Sequence, residues 1–305
     1  MIDVHCHLNF HAYEKDVEDV ITQAFAKGVE KIINVGTKLD SSAHAIALAE
    51  KHEHLYAIVG VHPHHADKIE LNKEATELAL KTQNTQSIRN SDIPDAEFSD
   101  VPSSQSFPDN YPWLNKLETL ARHPKVVAIG EIGMDYYSYQ SNGIVDPALQ
   151  KEVFEAQIEL AHKANLPIQI HNRHAGKDVL EILRHHKNLL KRDTPGMFHC
   201  FAGDLDVLRG ALDLGFFIGF DGNLTYPGLA PKETVSLSDL AVYTPVDRIV
   251  TETDSPFLTP IPFRGSRNMP SHVIIVGEFL ARLKGISFEE MQSITVQNAK
   301  KLFHI

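Results

Sequence analysis

Short apolar runs alternate along this chain with longer segments whose apolar positions recur every three to four residues. Such alternation predicts strands joined by helices, and runs that are apolar nearly throughout predict strands of a parallel sheet covered on both faces. The runs are Ile2 to Cys6, Lys31 to Gly36, Leu55 to Val61, Val126 to Ile132, Pro167 to His171, Met197 to Phe201, Phe216 to Phe220 and Arg248 to Thr253. Eight strands with helices between them predict an α/β protein of the (β/α)8 TIM-barrel class. The helical segments carry matching punctuation. Val17, Val20, Ile21 and Ala24 form a stripe that stops at Gly28, a residue suited to the left-handed turn after a helix. Asp146-Pro147 sets a capping acid before a proline at the first helical position, and Ser287 with Glu290 has the form of a capping box.

Residues 82 to 111 break the rhythm. They are rich in Ser, Asn, Asp and Pro, lack Gly, and set Asp92, Asp95, Glu97, Asp100 and Asp109 against the single basic Arg89. This reads as a polar acidic loop inserted between the third and fourth strands of a single domain spanning 1–305, and a barrel would hang it over the C-terminal face. With 43% hydrophobic and 23% charged residues a disordered chain is excluded. The formal charge of −11 excludes a broad basic face for coating duplex nucleic acid but leaves room for a local phosphate site. Cys6 and Cys200 are too few for a disulfide framework, and Met1-Ile-Asp-Val-His lacks the form of a secretory leader. The expectation is a soluble, cytoplasmic protein with no membrane partner.

The chain has 18 histidines, more than packing alone accounts for. His5 and His7 lie two apart at the end of the first strand, so strand alternation sends both imidazoles to one side and Cys6 to the other. Glu131, His171, His199 and Asp254 each follow an apolar run, where a barrel keeps its active site. Gathering six such groups at one face without compensation is costly, and divalent metal, two ions by this count, supplies the compensation.

The ordered motifs along the chain resemble those of the TatD-type metal-dependent deoxyribonucleases, an amidohydrolase-like branch of the barrels. They are Asp3-Val-His-Cys-His-Leu, Gly60-Val-His-Pro-His, Gly130-Glu-Ile-Gly-Met-Asp-Tyr, Gln150 through Phe154, Ile170-His-Asn-Arg, His199-Cys-Phe-Ala-Gly, Glu252-Thr-Asp-Ser-Pro-Phe-Leu, Arg264-Gly-Ser-Arg-Asn-Met-Pro and Asn298-Ala-Lys-Lys-Leu-Phe. The resemblance implies His5, His7 and Asp254 on one metal, His171 and His199 on a second, and Glu131 bridging both. It implies that Asp254 orients or deprotonates the attacking water, and that His62 meets a substrate phosphate. Met134, His174 and Met269 depart from the family pattern, the last two at positions that bear on substrate preference.

Arg173, two residues beyond His171, can reach the same mouth and grip a phosphate, or pair with a carboxylate. Arg264 and Arg267 share a glycine-containing loop and are further phosphate candidates. Tyr136-Tyr137 can stack a base or pack in the core. His64 and His65 are expected to be solvated, and Cys6 and Cys200 to be small packed residues outside the ligand set. No glycine pattern calls for a nucleotide cofactor. The expected function is hydrolysis of DNA phosphodiester bonds from ends, single-stranded by preference, with zinc, manganese, magnesium or iron as the cofactor. The alternatives are a carbon-nitrogen or ester hydrolase of the amidohydrolase type and a barrel kept for binding alone.

Overall fold

The computed structural model describes residues 1–70, 111–141, 143–191, 193–230 and 234–305, so the predicted insertion lies outside the described residues except for Tyr111. The strands are β1 Ile2–Cys6, β2 Lys31–Val35, β3 Leu55–Val59, β4 Val126–Asp135, β5 Ile168–Arg173, β6 Gly196–Phe198, β7 Phe217–Phe220 and β8 Ile249–Thr251. Among the described residues they form one eight-stranded sheet in sequence order, each neighbour parallel, with helices in the connections. Cys6 bridges to Ser255 and closes the cylinder between its first and last strands. The (β/α)8 barrel read from the sequence is thus the fold. No helix among the described residues is long and apolar enough to cross a membrane.

Two apolar shells hold the barrel. Inside it, Ile2, Val4, Ile33, Val35, Ile58, Val127, Met197, Phe217 and Val250 pack with Val296, Ala299, Leu302 and Phe303 of the last helix, Phe288–Phe303. Outside it, Ile32, Ala57, Ile129, Ile168, Ile170 and Ile218 meet the surrounding helices. The capping signals are realised: the Asp146 side chain accepts from the amide of Ala148, and the Ser287 hydroxyl accepts from the amide of Glu290. Apolar side chains fill the end of the interior nearest the strand starts, which leaves the C-terminal mouth for polar groups.

Several element ends differ from the sequence expectation, and each difference shapes the mouth. β4 continues past Ile132 to Asp135, while β6 stops at Phe198 and β8 at Thr251. Cys200 and Asp254 adopt left-handed φ values of 42° and 51°, which turn the chain out of the ladder at those points. Strand alternation is also interrupted. The β1 ladder shifts between Asp3 and Cys6, so Val4 packs inside while the His5 ring also reaches inward to Gln169. Asp3, wholly buried, accepts the Thr253 amide on one oxygen (3.0 Å) and the Thr253 hydroxyl on the other (2.7 Å), tying β1 to the segment after β8.

A second register shift, between Ile129 and Ile132, directs Glu131 into the mouth. Just beyond it Gly133 has φ 142°, and a Cβ there would sit 2.0 Å from the carbonyl oxygen of His171. Gly133→Ala is therefore expected to cost about 2 kcal/mol or more of stability, read as a lower midpoint in thermal unfolding. An unchanged midpoint would contradict this account of the β4–β5 contact.

Candidate metal centre

The imidazoles at the mouth sort by what holds their second nitrogen. His5 is fully buried, and its Nδ1 donates to the side-chain oxygen of Gln169 at 2.8 Å, because the Gln169 amide nitrogen donates elsewhere, to the Val4 carbonyl. His7 Nδ1 donates to the Val35 carbonyl at 3.0 Å. In the neutral rings the protons are thereby committed, and the two Nε2 lone pairs face each other at 3.0 Å. That approach is repulsive unless a cation shares it. His62 is the opposite case: its Nδ1 accepts the His64 amide, so Nε2 carries the proton and presents it towards Glu131, 3.5 Å away. Burial lowers the His62 pKa to about 4, which keeps the ring a neutral donor.

Glu131 stands among these rings. One carboxylate oxygen lies 2.6 Å from His171 Nδ1 and 2.9 Å from His199 Nε2, while the other lies 3.8 Å from His5 Nε2 and 4.0 Å from His7 Nε2. Burial opposes its ionisation, yet His199, His62 and His171 outweigh burial and hold it well below the usual carboxylate range. Asp254 adds an oxygen 3.5 Å from His5 Nε2 and 3.4 Å from His7 Nε2. Among the described residues, ligand atoms within 4.8 Å of one another group as His5, His7 and Glu131; Glu131, His171 and His199; His5, His199 and Asp254; and His62, Asp135 and His171. The first two groups share Glu131, as expected of a bridge, and the third cuts across the division by joining His5 to His199, whose rings stack at 3.9 Å. Nitrogen lone pairs and carboxylate oxygens facing one another fit divalent cations of the zinc, manganese or iron kind.

Three residues that hold this arrangement carried no role in the expectation from the sequence. Asp135 meets His171 Nε2 at 3.1 Å and accepts the Tyr139 hydroxyl at 2.8 Å, so it accepts a hydrogen bond from the Nε2–H and turns the Nδ1 edge of the ring towards Glu131. Burial opposes the Asp135 charge, but the His171 contacts bring its pKa down to about 2. For His171 burial again opposes charge, and Glu131 and Asp135 raise it to about 9. Gln169 fixes His5. Parity carried the signal in both cases, Asp135 being four residues from Glu131 on one strand and Gln169 two from His171 on another. Glu252 is a third: fully buried, with one oxygen 3.8 Å from His199 Nδ1 and accepting from the Cys200 amide.

The centre opens into a cleft of about 1000 Å³ lined by His62, Arg173 and Arg264 among others. Arg173 lies over the Tyr137 ring at 3.8 Å and donates to the Tyr139 hydroxyl, and Arg264 lies over Tyr226 at 3.9 Å. Arg267 does not line it. Its guanidinium forks onto Asp16 at 2.6 and 2.9 Å and donates to the Ala12 carbonyl, which corrects its expected phosphate role to one of fastening the β8 loop. Tyr136 bonds Asp178 and packs, while Tyr137 faces the cleft. His64 and His65 are half-buried at the cleft wall, not solvated, because His65 Nδ1 bonds the Thr37 carbonyl and the His64 ring packs on Tyr139 at 4.3 Å. Cys6 is buried behind β1, whereas Cys200 is half-buried at the cleft edge; neither is in a ligand group among the described residues.

If these donors hold cations, stripping divalent ions with a chelator lowers the thermal midpoint and returning zinc or manganese restores it. At about a hundredfold over Kd the gain is about 2.7 kcal/mol. Glu131→Ala should respond far less, and an equal response would remove that carboxylate from the ligand set.

Comparison with known proteins gives the family. Residues 2–304 match the family described as TatD related DNase. The chain is 38% identical over 306 residues to the uncharacterized metal-dependent hydrolase YabD of Bacillus subtilis, covering 100% of this chain and 99% of that one. It is 33% identical over 308 residues to the uncharacterized metal-dependent hydrolase YcfH of Escherichia coli K12, covering 100% and 96%. Among solved structures, YjjV, a TatD homolog from Escherichia coli K12, superposes with a TM-score of 0.76 at 26% identity, covering 100% of this chain and 98% of that one. The chain belongs to the TatD family of metal-dependent hydrolases.

Proposed function

We propose that this hydrolase cleaves phosphodiester bonds at DNA ends, single-stranded ends by preference, with two divalent cations held by His5, His7, Glu131, His171, His199 and Asp254. One observation carries the choice of an anionic ester. The His62 N–H, Arg173 and Arg264 line the cleft, and neither guanidinium has a carboxylate within ion-pair distance among the described residues, in a chain of net charge −11. Unpaired guanidiniums beside a buried carboxylate centre favour a phosphate guest. The family's description supports DNA as the polymer. A strand end suits the acidic chain, since only the end must enter the mouth.

When bound, divalent cations supply Lewis acidity, which polarises a phosphate oxygen and eases loss of a proton from water. Asp254, partly exposed at the mouth, accepts that proton as the water oxygen attacks phosphorus; the ester P–O bond breaks as the new one forms, and the leaving oxygen takes up a proton from Asp254 or from solvent. The His62 N–H donates to a non-bridging oxygen as charge gathers there, and burial, by keeping the ring neutral, keeps that donor aimed by the His64 amide. Asp135 and Gln169 hold the His171 and His5 rings in place.

A second reading has its own support. Phe201, Leu229, Leu237 and Leu240 give one side of the cleft an apolar wall, which also suits a small amide or ester. The two readings part in one experiment: metal-loaded protein assayed on end-labelled single-stranded DNA, on blunt duplex and on a panel of esters and amides. Shortening of the single strand is expected. Ester or amide turnover without strand cleavage sinks the DNA reading. Asp254→Asn should lower kcat on DNA by about 10²- to 10⁴-fold while retaining more metal than activity, and proportional loss of both would reduce Asp254 to a ligand.

A further inference from the structure

Two tyrosine-arginine pairs stand on separate parts of the rim. Tyr137 follows β4, and Arg173, over its ring, ends β5. Tyr226 follows β7, and Arg264, over its ring, lies in the segment after β8. In a barrel of eight strands in sequence order the first pair and the second stand three strands apart around the mouth, and both line the same cleft as Glu131 and His199. Each pair has further contacts. The Tyr226 hydroxyl donates to the Thr259 carbonyl at 2.9 Å, the backbone amide of Tyr137 donates to Asp135 at 2.8 Å, and the Tyr137 ring packs edge-on against Tyr139 at 4.8 Å. Tyr137 remains 40% exposed despite its large apolar ring.

A pair of this kind offers a flat surface and a positive charge at once. Unpaired bases stack on tyrosine rings and on guanidinium planes, and the charge favours the adjoining phosphate. Inside a duplex both faces of a base are covered by its neighbours, so it cannot present one in this way. Arg267, which forks onto Asp16 at the outside of the same loop as Arg264, shows the alternative use of an arginine here: fastening, with its charge neutralised.

Resting on the phosphodiesterase reading, we propose that these pairs are two base-stacking shelves, Tyr137 with Arg173 and Tyr226 with Arg264, that take the nucleotides on opposite sides of the scissile phosphate. The cleft then demands an unpaired base on each side of the bond it cuts. Preference for single strands follows from the shelves, and a nucleotide without a base on either side is a poor substrate.

The test uses the metal-loaded enzyme and a set of single strands in which one base-free tetrahydrofuran nucleotide is moved one position at a time past the cleaved bond. For the unsubstituted protein, kcat/KM should fall by roughly tenfold or more with the base missing on either side. In Tyr137→Leu the penalty should vanish for one side only, and in Tyr226→Leu for the other only. Penalties that persist in both variants, or vanish on the same side, overturn the assignment. Binding reads the shelves independently of turnover, with 2-aminopurine at each of the two positions in a strand carrying a methylphosphonate at the cleavable linkage. Quenching in the unsubstituted protein, lost position by position in the two variants, supports the shelves even if no DNA is cut, which would defeat only the reaction. Binding without quenching at either position overturns the shelves and leaves the reaction standing, and absence of both binding and cleavage overturns both.

Discussion

A histidine ring has two nitrogens, and the partner behind one decides what the other offers in front. In this barrel the partners behind are parts of the scaffold: the Gln169 side chain for His5, the Val35 carbonyl for His7, the His64 amide for His62 and the Asp135 carboxylate for His171. Acceptors stand behind His5 and His7, so their front nitrogens are lone pairs. A donor stands behind His62, so its front nitrogen is N–H. Rings that look interchangeable in the sequence thus split into those that present a lone pair and one that presents an N–H, and the division is made by strands and turns whose positions the packed barrel fixes.

The fold was legible because its strands are buried on both faces and therefore apolar almost without interruption, and because Asp146-Pro147 and Ser287 mark helix starts by local chemistry. The six proposed ligands were legible because each lies at or just past the end of such a run. What the sequence concealed lies where periodicity fails. The shifts in β1 and β4 allow Val4 and His5 to face the same interior and swing Glu131 inward, and no composition rule marks a shift. Asp135 was obscured because the fourth run was read as ending at Ile132, whereas β4 continues beyond it. Arg264 and Arg267 look alike in one loop. They are told apart only by Asp16, some 250 positions away in sequence, which faces one of them.

Charge is distributed by the same logic. The acidic excess of the whole chain says little about the cleft, where Arg173 and Arg264 rest on tyrosines instead of on carboxylates. An aromatic face stabilises a guanidinium without neutralising it, so the charge stays available to an incoming anion. The apolar wall beyond them lowers the local polarity and strengthens each of these interactions.

The bond between Asp3 and Thr253 carries a consequence for how the protein comes into being. Asp3 is synthesised well before the groups that satisfy it, since the amide and hydroxyl that meet its carboxylate belong to a residue made 250 positions later. At about 5–20 residues per second that interval is on the order of tens of seconds. Throughout it, β1 lacks its neighbour on one side, and His5 and His7 are held on a strand whose closing partner does not yet exist. Asp254 arrives only with that closure. The six side chains gathered at the mouth are consequently all present only after translation has passed the eighth strand.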